Sequence, residues 1–420
     1  MGEKYFPLGR DELEKLAEQY PTPFYLYDEK GIIENVHRIN ATFSVFSGYK
    51  NHFAVKALPN PFILKILAAE GMGADCSSYP ELLLAQMAGI QGEDIMFSSN
   101  ETPASEYQTA RKMGAVINLD DFTHIDFLEK NAGIPELISC RYNPGPLKSG
   151  NAIIGKPEEA KYGFTREQLL AGYSLLRDKG AKRFGLHTMV ASNELSLAYH
   201  VETAKMLFQL AAEIKEKTGI SLEFINLGGG MGIPYKPEDK AINYQELAKG
   251  IEAAYRDIII PAKLNSIGIR IEWGRIITGP YGWLVTRALH NKDIYRNYIG
   301  IDACMADLMR PALYGAYHHI TVPGKENEAL TETYDITGSL CENNDKFAIQ
   351  RKLPKIDIGD FVIIHDAGAH GRAMGFNYNG KLRCGELLLR SDGSIVKIRR
   401  AETADDYFAT LDRNLIKEFH

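Results

Sequence analysis

One rhythm limits what this chain can fold into. Short apolar, β-rich runs recur near residues 52–57, 73–77, 95–99, 115–119, 137–142, 183–190, 222–227 and 268–272. Helix-like stretches lie between most of them, at 61–70, 79–88, 104–113, 122–131, 166–179, 200–217 and 244–258. Gly71, Gly89, Gly114, Gly180 and Gly219 stand where these stretches stop, the place for a left-handed helix-closing residue. Strand alternating with helix implies a parallel sheet. Eight such units imply a closed (β/α)8 barrel more readily than an open sheet.

The rhythm has a prelude and a sequel. Residues 10–19 pattern as a short amphipathic helix, Pro21-Thr22-Pro23 breaks the chain, 24–27 read as a strand and 30–46 as a helix. After about residue 275 strand-like pieces dominate, at 283–288, 298–301, 334–338, 361–365, 386–389 and 395–399, with helical patterns only at 308–314 and 405–412. The expected architecture is α/β: a barrel over 29–272 and a mainly β C-terminal domain over 273–420. An N-terminal segment, 1–28, is expected to pack with the β domain.

Bulk properties exclude several classes. The chain has 420 residues, 45% hydrophobic and 24% charged, which suits a globular protein of two or three domains. A net charge of -6 gives no basic footprint for nucleic acid. No apolar run approaches the ~18 residues of a membrane span. Met1-Gly2 would open a myristoylation motif, but Phe6 stands where Ser or Thr is needed. The five cysteines are scattered without zinc-ligand or disulfide spacing, so a reducing cytoplasm is expected and no metal site.

In a (β/α)8 barrel the active site lies at the C-terminal ends of the strands. Lys56 is there, in His52-Phe53-Ala54-Val55-Lys56-Ala57. A lysine within an apolar strand either snorkels out or bonds covalently to a carbonyl cofactor as a Schiff base. Asp75 begins the polar run closing the second strand; it reads equally as a loop residue. His187 ends the sixth, followed by Thr188-Met189-Val190-Ala191-Ser192, and a lone strand histidine is usually core. Gly228-Gly229-Gly230 ends the seventh, where bare N–H groups suit a phosphate; Ile233 rules out a dinucleotide fingerprint. Glu272 ends the eighth, with Arg275 three residues on: a pair for a heterocyclic nitrogen and an anion, or an interdomain salt bridge. In the β domain Arg310 and Tyr314 are spaced to share a helix face, and arginine is the natural bidentate partner of a carboxylate. Cys341-Glu342 puts a thiol beside an acid, and Tyr378 is a candidate hydroxyl donor.

Together these pieces resemble the alanine-racemase-fold (fold type III) pyridoxal-phosphate decarboxylases, and among them the diaminopimelate decarboxylases. The resemblance runs from Thr22-Pro23-Phe24-Tyr25-Leu26-Tyr27 to the Arg399-Arg400 region. Its strongest motifs are Ala54-Val55-Lys56-Ala57, Asn226-Leu227-Gly228-Gly229-Gly230, the run from Asp307 through Arg310-Pro311-Ala312-Leu313-Tyr314-Gly315 to His318, Cys341-Glu342, and Asp366-Ala367-Gly368-Ala369 followed by Asn377-Tyr378-Asn379. The resemblance implies that Lys56 carries the cofactor as a Schiff base. Gly228, Gly229, Gly230, Ser192, Arg275 and Tyr378 would hold its phosphate, with Asp75 and His187 also at the cofactor. Glu272 would meet the pyridine nitrogen, favouring decarboxylation over racemisation. Arg310 and Tyr314, with Arg275, Glu342 and Tyr378, would bind substrate. Cys341 and Glu342 would come from the partner subunit of a homodimer, Cys341 as proton donor. The implied reaction is decarboxylation of meso-2,6-diaminopimelate to L-lysine. Its rivals are decarboxylation of another carboxylate-bearing diamine such as carboxynorspermidine, or of a pathway-specific amino acid; racemisation; and non-catalytic cofactor binding.

Five positions depart from the family pattern. Met189 stands for the histidine that stacks on the cofactor ring, Trp273 for the proline of Glu-Pro-Gly-Arg, Asn343-Asn344 for Ser-Gly, and His370 for a tyrosine.

Overall fold

The structure, a computed structural model, describes residues 4–150, 153, 155–264 and 266–418; the Met1-Gly2 start lies outside them. Two compact units divide the chain. One takes the segment up to Gly31, the short stretch Tyr235–Pro237 and everything from Thr278 on; the other takes Ile32–Pro234 and Glu238–Ile277. Strand β1 (Phe24–Asp28) belongs to the first.

The second unit is the closed eight-stranded parallel barrel that the alternation implies. Its strands are β2 (Lys50–Ala54), β3 (Gly73–Cys76), β4 (Ile95–Phe97), β5 (Val116–Leu119), β6 (Leu137–Tyr142), β7 (Arg183–Thr188), β8 (Phe224–Asn226) and β9 (Gly268–Ile271), and β9 closes onto β2. Such strands are buried on both faces, so they read as unbroken apolar runs; β6 is buried at every position. Met96, Val116, Leu137 and Phe224 pack together in the barrel core, and the Arg270 guanidinium lies 3.8 Å from the Phe224 ring centroid. Side-chain caps start several helices. Asn60 accepts from the Phe62 N–H at 3.1 Å ahead of Pro61, and Asn243 accepts from Gln245 and Glu246. The longest, Leu197–Thr218, closes on Gly219 at φ 74°.

One strand differs from expectation in a way that matters. β2 ends at Ala54, and Val55–Ala57 is a single 3-10 turn. Lys56 is exposed between buried Val55 and Ala57. The cost of burying a lysine inside an apolar strand therefore does not arise: the turn lifts the amine clear of the barrel wall.

The first unit is mostly sheet. Its strands are β1 with β10 (Gly282–Asp293), β11 (Asn297–Ile301), β12 (Ile320–Thr321), β13 (Glu332–Thr337), β14 (Lys346–Leu353), β15 (Phe361–Ile364), β16 (Gly385–Leu389) and β17 (Ile395–Arg399). The path runs β14-β13-β11-β10-β1-β16-β17, with β15 on β10 and β12 on β15. β1 lies inside this sheet, antiparallel to β10 and parallel to β16. Leu13 and Leu16 of the helix Arg10–Gln19 join Phe24, Leu26, Trp283, Val285, Phe361, Ile363 and Leu387 in its core.

Two strands escaped the sequence pattern. β12 is too short to show one. β14 loses its alternation at Gln350, which has φ 49° and donates its N–H to Asp335 at 2.8 Å. The tail forms two helices, Ala404–Tyr407 and Arg413–Glu418, where one was expected over 405–412. Asp412 caps the second through the N–H groups of Asn414 and Leu415, so the chain restarts there. No helix of the described residues is long and apolar enough to cross a membrane.

Candidate active site

The strand ends of the barrel gather most of the expected cofactor residues. Glu272, just past β9, is buried, and both its oxygens accept hydrogen bonds: Oε2 from His187 Nε2 at 2.9 Å and Oε1 from Asn226 Nδ2 at 2.7 Å. Burial opposes ionisation here, but it is outweighed. His187 first, then Arg141 and Lys56, hold the Glu272 carboxyl below the usual carboxylate range. Asp75, at the end of β3, goes the other way. Burial first, then the Glu272 charge, raises its carboxyl well above the usual range, against Lys56 and Arg141. Its Oδ1 has no hydrogen-bond partner among the described residues. The two carboxyls are thus pushed in opposite directions, Glu272 down and Asp75 up.

The glycine loop is packed on three sides by backbone. A Cβ on Gly228 would meet Thr188 O at 2.1 Å, one on Gly229 would meet Glu272 O at 2.8 Å, and one on Gly230 would meet Ala191 O at 2.5 Å. Gly228 and Gly230 also have φ of 74° and 92°, a region that side chains disfavour. The loop is clipped to the turn after β7: Glu194 N–H donates to Gly230 O and Gly232 N–H to Glu194 O. Ser192 lies on that turn, and Arg275 Nη2 reaches its Oγ at 3.4 Å. The Gly228 N–H donates to Asn226 Oδ1 at 2.9 Å, whereas the amides of Gly229 and Gly230 make no such bond among the described residues.

Two departures from the family pattern acquire a physical account. Trp273 donates its backbone N–H to Asn51 Oδ1 at 3.0 Å, a bond that proline has no hydrogen to make. Its indole packs edge-on to Phe43 at 5.1 Å. Next to it, Gly274 lets the loop close on the Lys56 turn, because a Cβ there would stand 2.8 Å from that of Ala57. Met189 is half-buried, and its Cε lies 3.7 Å from where a Cβ of Gly229 would be. A thioether there can cover an aromatic face by dispersion but donates no hydrogen bond.

The β-rich unit carries the expected substrate residues. Arg310, on the helix Arg310–Tyr314, is buried, with its guanidinium carbon 5.3 Å from the Tyr235 ring centroid. The i, i+4 spacing predicts a shared face, yet Tyr314 is exposed. The helix is one turn long and ends at Gly315 with φ 61°, so its last residue turns outward. The Cys341 N–H donates to Asn379 Oδ1 at 3.2 Å, which joins the Cys341-Glu342 turn to the segment carrying Tyr378. Cys341 and Tyr378 are exposed. Glu342 Oε1 accepts from the Asn344 N–H at 3.3 Å, within the turn where Asn343-Asn344 replaces Ser-Gly.

The sequence reading gave no role to Asn118, Asn226 or Arg141, all buried at strand ends. Asn226 was visible as the first letter of the glycine motif; Asn118 and Arg141 had no local signal. Arg141 Nη1 stands 3.3 Å from Asp120 Oδ1, an ion pair without hydrogen-bond alignment. The barrel set fits a pyridoxal phosphate: an exposed amine, two glycine amides with a serine and an arginine for the phosphate, and a fixed carboxylate for a protonated ring nitrogen.

Residues 30–279 match the model of the pyridoxal-dependent decarboxylase, pyridoxal binding domain. The chain is 43% identical to Protein TabA of Pseudomonas amygdali pv. tabaci, covering 96% of this chain and 93% of that one. It is 35% identical to the diaminopimelate decarboxylase of Methanothermobacter thermautotrophicus, covering 95% and 93%. Among solved structures, the diaminopimelate decarboxylase of M. jannaschii in complex with L-lysine superposes with a TM-score of 0.89 at 28% identity, covering 98% of this chain and 96% of that one. The Helicobacter pylori diaminopimelate decarboxylase complexed with L-lysine gives 0.85 at 29% identity, covering 97% and 99%.

Proposed function

This chain belongs to the pyridoxal-dependent decarboxylase family and acts on a small amino acid with pyridoxal phosphate as cofactor; we propose that its substrate is meso-2,6-diaminopimelate, released as L-lysine and CO2. The observation that carries this reading is Arg310, a buried guanidinium at the head of the Arg310–Tyr314 helix. A buried arginine suits a substrate carboxylate distant from the reacting carbon. Relatives named diaminopimelate decarboxylase, matched over nearly the whole chain, support the same substrate.

When bound, the cofactor supplies an electron sink for the charge left as CO2 departs. The residues do the rest. Lys56 holds the cofactor through its Nζ and yields to the substrate amine. The Gly229 and Gly230 amides, Ser192 and Arg275 hold the phosphate, with Tyr378. Glu272 keeps a negative charge at the ring nitrogen. Arg310 fixes the distal carboxylate, helped by Tyr314 and Glu342. The C–C bond breaks, CO2 leaves, and the Cys341 thiol gives its proton to the same carbon. We read the working unit as a cytoplasmic homodimer, with Cys341 and Glu342 of one protomer serving the site of its partner. The exposure of Cys341 supports that reading.

A second reading is favoured by one comparison. Identity to TabA, 43%, exceeds the 35% to the Methanothermobacter diaminopimelate decarboxylase. It assigns another carboxylate-bearing amino acid as substrate. CO2 release from diaminopimelate, carboxynorspermidine, ornithine, lysine and arginine separates the cases. The proposal expects diaminopimelate to lead. Carboxynorspermidine in the lead would favour the second reading, and faster turnover of ornithine would defeat both.

A further inference from the structure

Glu272 is held more firmly than contact with a ring nitrogen alone requires. Its two oxygens are bonded from two neighbouring strands, by His187 of β7 and Asn226 of β8, which are register partners. Asn226 uses its other end to accept the Gly228 N–H, so one amide ties the carboxylate to the glycine loop. On the far side of the imidazole, Asn118 Nδ2 of β5 lies 2.8 Å from His187 Nδ1 and 3.1 Å from Ser98 Oγ. Asn118 thus holds the ring from its Nδ1 side, while Nε2 donates to the Glu272 carboxylate. His187, Asn118 and Asn226 are all at most 2% exposed, so water does not compete for these bonds.

We propose that His187 is a positioning residue: an imidazole, held by Asn118, that donates to Glu272 and orients that carboxylate toward the cofactor's ring nitrogen. This rests on the reading of Glu272 given above. The ionisable groups that act on Glu272 from the other strand ends are Lys56, Asp75 and Arg141. The bonds to the carboxylate come from His187 and Asn226, not from the two cations. His187 therefore has work that packing alone does not explain. A hydrophobic residue of similar size would fill the space and leave Glu272 Oε2 short of a donor.

Two measurements test this. In cofactor-free protein carrying ¹⁵N-histidine, at pH 8, the His187 ring is expected to show a protonated Nε2, its signal assigned by its loss in His187→Gln. A bare Nε2 would overturn the proposal. In the holoenzyme, His187→Gln keeps an N–H for Glu272 and His187→Leu does not. The leucine variant is expected to bind cofactor roughly tenfold more weakly, to shift the visible band with pH, and to lose about 100-fold in kcat with little change in KM. The glutamine variant should recover most of this. Equal loss in both variants, or an unchanged spectrum in both, would reduce His187 to core packing. Glu272→Gln is the separating control. If it leaves spectrum and cofactor affinity intact while the imidazole keeps its Nε2 proton, the reading of Glu272 fails and the hydrogen-bonded chain stands.

Discussion

The two units carry their candidate residues in opposite ways. In the barrel, Glu272 and His187 are 6% and 1% exposed and are fixed by strand register and hydrogen bonds between side chains. In the β-rich unit, Tyr378 and Tyr314 are 51% and 60% exposed and sit on short helical turns, while Arg310 alone of the group is deeply buried. A rigid barrel mouth suits chemistry that is common to many substrates, because it must hold one cofactor in one pose. Exposed turns suit selection among substrates, which differs between relatives. The departures from the family pattern fall on both sides. Those in the barrel, Met189 and Trp273, have local compensation in the geometry of their neighbours. His370, at φ 53°, has no such account in the structure.

This contrast can be broken at several points. The largest effect belongs to Lys56→Ala, expected to remove the visible absorbance of bound cofactor and at least ~10⁴-fold of kcat/KM. A retained band would put the cofactor lysine elsewhere. Next comes Gly228→Ala, whose Cβ would press on Thr188 O. Overpacking costs about 1–3 kcal/mol, so cofactor affinity should fall roughly 10- to 100-fold; fluorescence titration with pyridoxal phosphate checks it. Arg310→Ala should do the reverse, raising KM for diaminopimelate by about 100-fold or more while cofactor affinity moves less than about threefold. Equal loss of both would erase the division of labour between the units.

Acid is the probe to which the two units should respond alike. Burial first, then Arg270, lowers the His52 imidazole of the barrel to about 3. Burial first, then neighbouring His319, lowers His365 of the β-rich unit to about 3; His319 itself lies at about 4, by burial and Lys4. All three are neutral in the fold and bind a proton near pH 6.5 once unfolded. Their contribution is therefore complete above pH 6.5 and lost as pH falls toward 3 to 4. Hydrogen exchange at pH 7 and pH 5 should show protection falling in both units. Loss confined to one would mean that the other unit's histidines are solvated.

The sequence carried the barrel well because strand–helix alternation is a local, repeated signal. Lys56, Gly228, Glu272 and Arg275 could be found at strand ends by that rhythm alone. Three things escaped it. The 3-10 turn under Lys56 breaks no apolar pattern, since Val55 and Ala57 remain buried. β14 hides behind the bulge at Gln350. Asn118 matters only because β5 and β7 flank β6 in the closed barrel, a relation between distant residues that no window of sequence contains. The glycine motif pointed to a phosphate but not to the capture of its first amide by Asn226.

The most direct measurement compares one protein on two substrates that differ only in the distal carboxylate. With saturating pyridoxal phosphate, kcat/KM for meso-diaminopimelate should exceed that for lysine by about 10⁴-fold or more, because lysine lacks the distal carboxylate that the buried Arg310 guanidinium would hold. Comparable values for the two, or a preference for lysine, would contradict the assignment of Arg310 and with it the proposed substrate.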